Sequence, residues 1–219
     1  MMKRVPLLAS LLLFLPLFGP AQKVVAQRCA PGAIRMYWKA PDGKPYATFE
    51  RLLAKHPKLR FAMNGGMYSA ELAPVGLYVE GGKRLRPMRH VNNPKVNFGI
   101  QPQGVFGIRS GKAFVEPARS YTAKGVTYAT QSAPMLVLGG RRNGALPEGR
   151  RLVRNGVGLL PTGEVLLAIS EEGVTFWEFA DWFVKQGCST ALYMDGNVSE
   201  YYKAPHLPMA WFAVMITVE

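Results

Sequence analysis

Three short stretches of this 219-residue chain combine residue types suited to hydrolytic chemistry. In Asp195-Gly196-Asn197-Val198-Ser199, the apolar run Ala191 to Met194 delivers a carboxylate at its end, and a glycine follows at once. Such a carboxylate can serve as general acid, general base or metal ligand, and the glycine lets another group approach the backbone; an Asx-turn between strands accounts for the same residues. In Phe61-Ala62-Met63-Asn64-Gly65-Gly66-Met67-Tyr68, a strand pattern stops at an amide side chain and bare backbone N–H groups. That is a usual way to hold an anion or an oxyanion, although Asn-Gly is also a common hairpin dipeptide. The glycine pair predicts positive φ angles or a close backbone approach. In Arg154-Asn155-Gly156-Val157-Gly158, a guanidinium interrupts two apolar segments and needs an anionic partner, either a structural carboxylate or a substrate phosphate. Ser132, inside Thr130-Gln131-Ser132-Ala133-Pro134, reads as a nucleophile, a ligand-binding hydroxyl or a turn residue.

Several other chemistries do not fit. His56, His90 and His206 are not at metal-ligand spacing, which argues against a His-based zinc site. No Gly-x-Ser-x-Gly elbow occurs. Asp195, Asn197 and Ser199 have the spacing that opens a calcium loop, but Glu200 stands where glycine is needed and His206 where the closing Glu belongs. No metal ligand or certain cofactor is assigned; a divalent cation on Asp195 and Asn64 oxygens stays an alternative.

The elements that must position these groups fit one domain. Lys3 and Arg4 followed by the apolar run Val5 to Phe18 predict an export signal over residues 1–26, cleaved after Val24-Val25-Ala26 or after Gly19-Pro20-Ala21, with an uncleaved anchor as the other reading. The expected mature domain is residues 27–219, periplasmic or extracellular, without a membrane span and of undetermined oligomeric state. Cys29 and Cys188 then either form one disulfide or remain two thiols. The formal charge of +13 is concentrated between Gly81 and Arg154, where fourteen Lys or Arg face only Glu116 and Glu148. Solvated strands and turns account for it more readily than a face for acidic glycan or anionic lipid. Nucleic acid is not expected, since no Arg-rich run is interleaved with aromatics.

Alternation over Ala33 to Lys39 predicts a half-buried strand, and Phe49, Leu52 and Leu53 predict a short helix that Pro57 ends. Residues 75–140 read as short strands with turns between them, including a Gly81-Gly82 hairpin and strands at Val96 to Ile100, Gly104 to Ile108 and Val126 to Thr130. Further strands are expected at Leu152 to Leu160, Glu164 to Ile169 and, centrally, Trp211 to Val218. Thr175 and Glu178 predict a capping box for a second helix, with Trp177 and Trp182 widening its apolar face. The fold class is α+β: one mostly-β domain of mixed or antiparallel sheet with about two helices packed on it.

In their order and strand contexts the three stretches resemble the phosphodiester glycosidase family, the family of N-acetylglucosamine-1-phosphodiester α-N-acetylglucosaminidase, and in particular its short bacterial exported branch. The resemblance runs from about Ile34 to the C-terminus. Tyr37-Trp38-Lys39, the Asn64 and Arg154 stretches, Pro74 to Glu80, Gly104-Val105-Phe106, Ala129 to Leu136, and Leu192 to Gly196 carry it. Family members often have Gly where Ala133 stands and a second Gly where Asn197 stands. The resemblance implies a hydrolase cleaving a sugar from a phosphodiester in an envelope or extracellular glycan. It casts Asp195 as acid/base or nucleophile, Asn64 as the substrate or oxyanion contact and Arg154 as the phosphate contact. Gly65, Gly66, Tyr68, Thr130, Ser132 and Gly196 would touch substrate, and Glu80 is a weak second carboxylate because its hairpin position explains it. The alternative is a non-catalytic exported module that binds anionic envelope polymer.

Overall fold

A computed structural model describes residues 23–196 and 198–219; residues 1–22 of the export signal expected over 1–26, and Asn197, lie outside the described residues. The chain opens with β1 (Val24–Cys29) and β2 (Ile34–Tyr37), where Ile34 and Met36 are buried and Arg35 and Tyr37 half-buried, as the alternation requires. Thr48 caps α1 (Phe49–Leu53), accepting the Arg51 N–H at 3.2 Å, and α1 buries Phe49 and Leu52. β3 (Phe61–Asn64) is buried throughout.

Hairpins come next: β4 (Tyr78–Glu80) and β5 (Lys83–Arg86) turn at Gly81 and Gly82, which have φ of 55° and 79°. β6 (Gly104–Arg109), β7 (Lys112–Pro117) and β8 (Val126–Ser132) complete this region. Between the hairpins, the expected strand at Val96 to Ile100 is instead a 3-10 turn over Asn97–Gly99. Its N–H groups bond locally, Gly99 to Val96 O and Ile100 to Asn97 O, and a Cβ on Gly99 would overlap the Asn93 backbone. Turn chemistry at Asn93 thus overrides the apolar alternation.

The last third holds β9 (Met135–Leu138), β10 (Arg141–Arg142), β11 (Asn155–Leu159), β12 (Val165–Ser170), α2 (Phe176–Lys185), β13 (Thr190–Tyr193), β14 (Tyr201–Tyr202) and β15 (Met215–Val218). α2 begins with the expected capping box: Glu178 N–H donates to Thr175 Oγ1 at 3.1 Å and Thr175 N–H to Glu178 Oε2 at 2.8 Å. Trp177 does not widen the buried face. It is exposed, with its indole N–H on Leu146 O and the Arg142 guanidinium 5.0 Å above its ring.

The strands form three sheets: β1-β12-β11-β13-β9-β10, β14-β3-β15-β2 and β5-β4-β8-β6-β7. Every paired strand runs antiparallel to its neighbour. β15 is central in its sheet, as its unbroken apolar run predicts. One face of the six-stranded sheet packs on the other two sheets through Val157, Leu167, Met63, Ile216, Tyr78 and Phe106. Its other face carries α2 through Leu166, Ala168, Phe179 and Phe183.

The two cysteines divide between these faces. Cys29 belongs to the core shared by the sheets and Cys188 to the core under α2, so the sheet itself separates them and both are buried free thiols. The disulfide is therefore not formed. Burial pushes each thiol up to about 11.

Candidate functional site

β3, β8, β11 and β13 belong to three different sheets, and their ends meet at one place. Asn155, the first residue of β11 and wholly buried, is the hub. Its Nδ2 donates to Asn64 O at 2.7 Å and to Asn64 Oδ1 at 3.0 Å, and its Oδ1 accepts the Asp195 N–H at 2.8 Å. Its own N–H donates to Asp195 O at 3.2 Å. One amide side chain thus ties the Asn64 strand end to the Asp195 strand end.

The Asn64 amide is similarly occupied. Nδ2 donates to Val198 O at 2.7 Å, and Oδ1 also accepts the Glu200 N–H at 2.9 Å. With these bonds Asn64 holds the turn after Asp195 in place, and the second N–H of Nδ2 makes no hydrogen bond among the described residues. Ser199 Oγ donates to Asp195 O at 2.7 Å, and the Gly196 N–H donates to Asp195 Oδ1 at 2.7 Å. Asp195 is 7% exposed at the centre of this network. The local bond to the Gly196 N–H holds the carboxylate at this position.

The glycines here are required for space and do not have left-handed backbone. Gly65, Gly66 and Gly196 are absent from the positive-φ residues. A Cβ on Gly65 would lie 2.6 Å from Val214 Cγ1, one on Gly66 would strike Gln131 O and approach Thr130 Oγ1 at 3.1 Å, and one on Gly196 would coincide with Tyr193 Oη. The Gly65 N–H is spent on Val214 O at 2.8 Å. The Gly66 N–H makes no hydrogen bond among the described residues, so it is the donor this turn can offer an anion.

Ser132 is wholly buried and donates to Met194 O at 2.8 Å, so it braces β13 and does not stand as an exposed nucleophile. Thr130, also buried, backs Gly66. Tyr68 Oη donates to Trp211 O at 2.7 Å; burial first, then the Asp195 charge, pushes its hydroxyl up to about 12. The phenol accordingly stays neutral beside Asp195.

Arg154 is 1% exposed, and among the described residues its hydrogen bonds go to carbonyls and not to the anionic partner its sequence context calls for. Its Nε donates to Val174 O at 2.9 Å and Nη2 to Arg150 O at 2.6 Å, and its guanidinium carbon lies 3.7 Å from the Phe176 ring centroid and 5.4 Å from that of Tyr193. Nη1 and the Tyr193 hydroxyl are both buried without a hydrogen-bond partner. Desolvation lowers the Arg154 pKa and raises that of Tyr193, each partly offset by the other. Because Arg154 and Asn155 are adjacent in an extended segment, they face opposite sides: Asn155 the strand ends, Arg154 the α2 side.

Glu80 is elsewhere. Its Oε2 accepts the Tyr78 hydroxyl at 2.6 Å and the Trp38 N–H at 3.2 Å, tying β4 to the end of β2. Burial raises its carboxyl above the ordinary value, against the pull of those two donors. The structure gives it a structural place and no link to Asp195. Sequence reasoning missed Asn155, Tyr193 and Ser199 as site residues. The available signal was an amide inside an apolar strand, since a buried Asn must find partners.

Beside Gly196 and Ser199 opens a cleft of about 620 Å³, lined also by Glu171, Glu200, Tyr201 and His206. Tyr201 and His206 stack with centroids 4.3 Å apart. A slightly larger cleft of about 640 Å³, between His90, Gln101, Gln103 and Arg119, contains none of the converging residues. Its amides are committed to the loop carbonyls of Val91, Gly99 and Phe98. Among the described residues no three His, Cys, Asp or Glu side chains are grouped so as to hold a metal ion.

The model of the phosphodiester glycosidase family matches residues 57–204, which include all four converging strand ends. The chain is 32% identical over 198 residues to YigE of Escherichia coli K12, itself uncharacterised, covering 85% of this chain and 77% of that one. Its fold is similar to the catalytic domain of zebrafish N-acetylglucosamine-1-phosphodiester α-N-acetylglucosaminidase, solved auto-inhibited by its pro-peptide, with a TM-score of 0.66 at 13% identity, covering 92% of this chain and 84% of that one. An exported-protein candidate of Burkholderia pseudomallei K96243 matches with a TM-score of 0.59 at 11% identity, over 89% of this chain and 73% of that one. On the extent of the family match and the identity to YigE, the chain belongs to the phosphodiester glycosidase family.

Proposed function

We propose that this family member is an exported hydrolase that cleaves the bond between a sugar's anomeric carbon and the oxygen of a phosphodiester in an envelope or extracellular glycan. The supporting observation is the convergence of three sheets on Asp195 through Asn155 and Asn64. In the reaction, water adds to the anomeric carbon while the carbon–oxygen bond breaks. The oxygen leaves on a phosphomonoester, whose second pKa is about 6. Such a leaving group needs little protonation, unlike a sugar alkoxide, so one carboxylate is sufficient where most glycosidases use two. Asp195 takes the proton of the attacking water or attacks the carbon itself. In this reading the Gly66 N–H and the remaining Asn64 N–H receive phosphate oxygens, and the Arg154 charge supports them from the α2 side of the strand.

Export fits the amino-terminal sequence. Val24–Ala26 form the first half of β1, so cleavage after Ala21 leaves that strand whole and cleavage after Ala26 removes half of it. Among the described residues no helix is long and apolar enough to cross a membrane.

N-acetylglucosamine 1-phosphate methyl diester is a direct probe, chosen from the named activity of the zebrafish relative. The expected products are the free sugar and methyl phosphate. Saturable binding with no release of sugar would instead favour a module that only binds anionic envelope polymer.

A further inference from the structure

The rim of the Gly196 cleft has a composition unlike the rest of the surface. Seven large hydrophobic side chains are exposed among the described residues; Val153 is one of them, and Leu207, Met209 and Trp211 belong to the loop that follows His206. Val153 lines the cleft directly. The other three follow His206, which also lines it, at every second position of one loop, and the loop returns to the site where Trp211 O accepts the Tyr68 hydroxyl. Met209 is 100% exposed and Trp211 67%. From Lys203 to Val218 the chain carries Lys203 and His206 and no carboxylate.

A second, independent feature is on the same rim. The Glu171 N–H donates to Lys23 O at 2.9 Å, and Val24 pairs with Ser170; Ser170 and Glu171 both line the cleft. Residues 1–22, with Lys3, Arg4 and the apolar run Val5 to Phe18, therefore join the domain at the mouth of the site.

We infer that this rim docks on a lipid bilayer bearing anionic headgroups, with Leu207, Met209 and Trp211 entering the interface, and that the site takes a sugar phosphodiester displayed in the headgroup plane. Trp at an interface and apolar residues beside Lys are the composition such contacts use. Glu171 and Glu200 line the cleft itself, so apolar insertion must supply much of the attraction at the rim. The substrate part of this inference rests on the hydrolase reading above; the docking part does not.

The full chain is mixed with vesicles of phosphatidylglycerol and of phosphatidylcholine brominated near the top of its acyl chains. Tryptophan emission is compared between the parent and Trp211→Phe; flotation is not used, because the amino-terminal segment alone could hold the chain on vesicles. The parent should lose emission to the bromines, and that loss should disappear in Trp211→Phe, since the exposed Trp211 is the indole placed at the interface. Equal quenching in both proteins would place the loop in water and overturn the proposal. So would concentration-dependent dimerisation, abolished by Met209→Ser and Trp211→Ser, without quenching, because a second copy would then cover the rim. The same double variant should hydrolyse the soluble methyl diester at the parent rate but a vesicle-borne sugar phosphodiester about tenfold more slowly. If the parent hydrolyses neither substrate, the hydrolase reading fails while the quenching result still decides the docking.

Discussion

Two carboxylates in this fold stand at strand ends beside glycines, and their surroundings differ. Glu80 is followed by Gly81 and Gly82, which have positive φ and open space where a Cβ would go. Those glycines serve the turn, and the Glu80 carboxylate joins two strands through Tyr78 and Trp38. On the Asp195 side, Gly196 and the Gly65-Gly66 pair that follows Asn64 have ordinary backbone and no space for a side chain. The difference shows how a turn glycine is told from a site glycine: the first answers to its own torsion, the second to the groups pressed against it.

Removing the hub should have the largest effect on the Asp195 side. Asn155→Ala leaves the Asp195 N–H and the Asn64 carbonyl oxygen without their buried partner, with an expected cost of roughly 3 kcal/mol in urea unfolding. Turnover should fall by about a hundredfold because Asp195 is no longer positioned. A variant unfolding at the parent midpoint with parent activity would show that the amide network positions nothing.

Glycine substitutions separate the two regions more finely. Gly196→Ala drives a methyl into Tyr193 Oη inside a packed core and should cost roughly 1–3 kcal/mol together with most of the activity. Gly81→Ala meets only torsional strain, about 1 kcal/mol, and should leave turnover unchanged. Equal activity losses would erase the distinction.

The thiols give a readout of the sheet between them. With Cys29 and Cys188 on opposite faces and both pushed up to about 11, iodoacetamide should label neither in the folded protein and both after unfolding, with or without reductant. Labelling that requires reductant would mean that a disulfide forms.

The smallest effect belongs to Glu80→Gln. The folded Glu80 carboxyl titrates above its ordinary value of 4.5, so its contribution is fully present below that value and declines as pH rises through the folded pKa. The amide keeps both hydrogen bonds without the buried charge. Relative to the parent, the variant should gain stability as pH rises above 4.5, with turnover unaltered. Loss of turnover would make Glu80 the second catalytic carboxylate.

Much of this arrangement was legible in the sequence because it is local. The capping box at Thr175 and Glu178, the Gly81-Gly82 hairpin and the central strand follow from neighbouring residues, although that strand, expected from Trp211, forms only over Met215–Val218 and leaves Trp211 exposed. The convergence on Asp195 depends on three sheets meeting, and no spacing along the chain encodes the Asn155 bonds to residues 91 and 40 positions away. Arg154 shows the same limit. Its burial was readable from the apolar segments around it, but carbonyls and aromatic faces, rather than a carboxylate, surround it. Strand Val24–Cys29 was hidden for a different reason: its apolar start merges with the export-signal pattern before it.

The central claim is that Asp195 performs the chemistry, and Asp195→Asn tests it most directly. The substitution is nearly isosteric, and the amide oxygen can still accept the Gly196 N–H. Measured on N-acetylglucosamine 1-phosphate methyl diester, kcat should fall at least roughly a thousandfold with the thermal midpoint close to that of the parent. A folded Asp195→Asn protein that retains turnover within about tenfold of the parent would contradict the account.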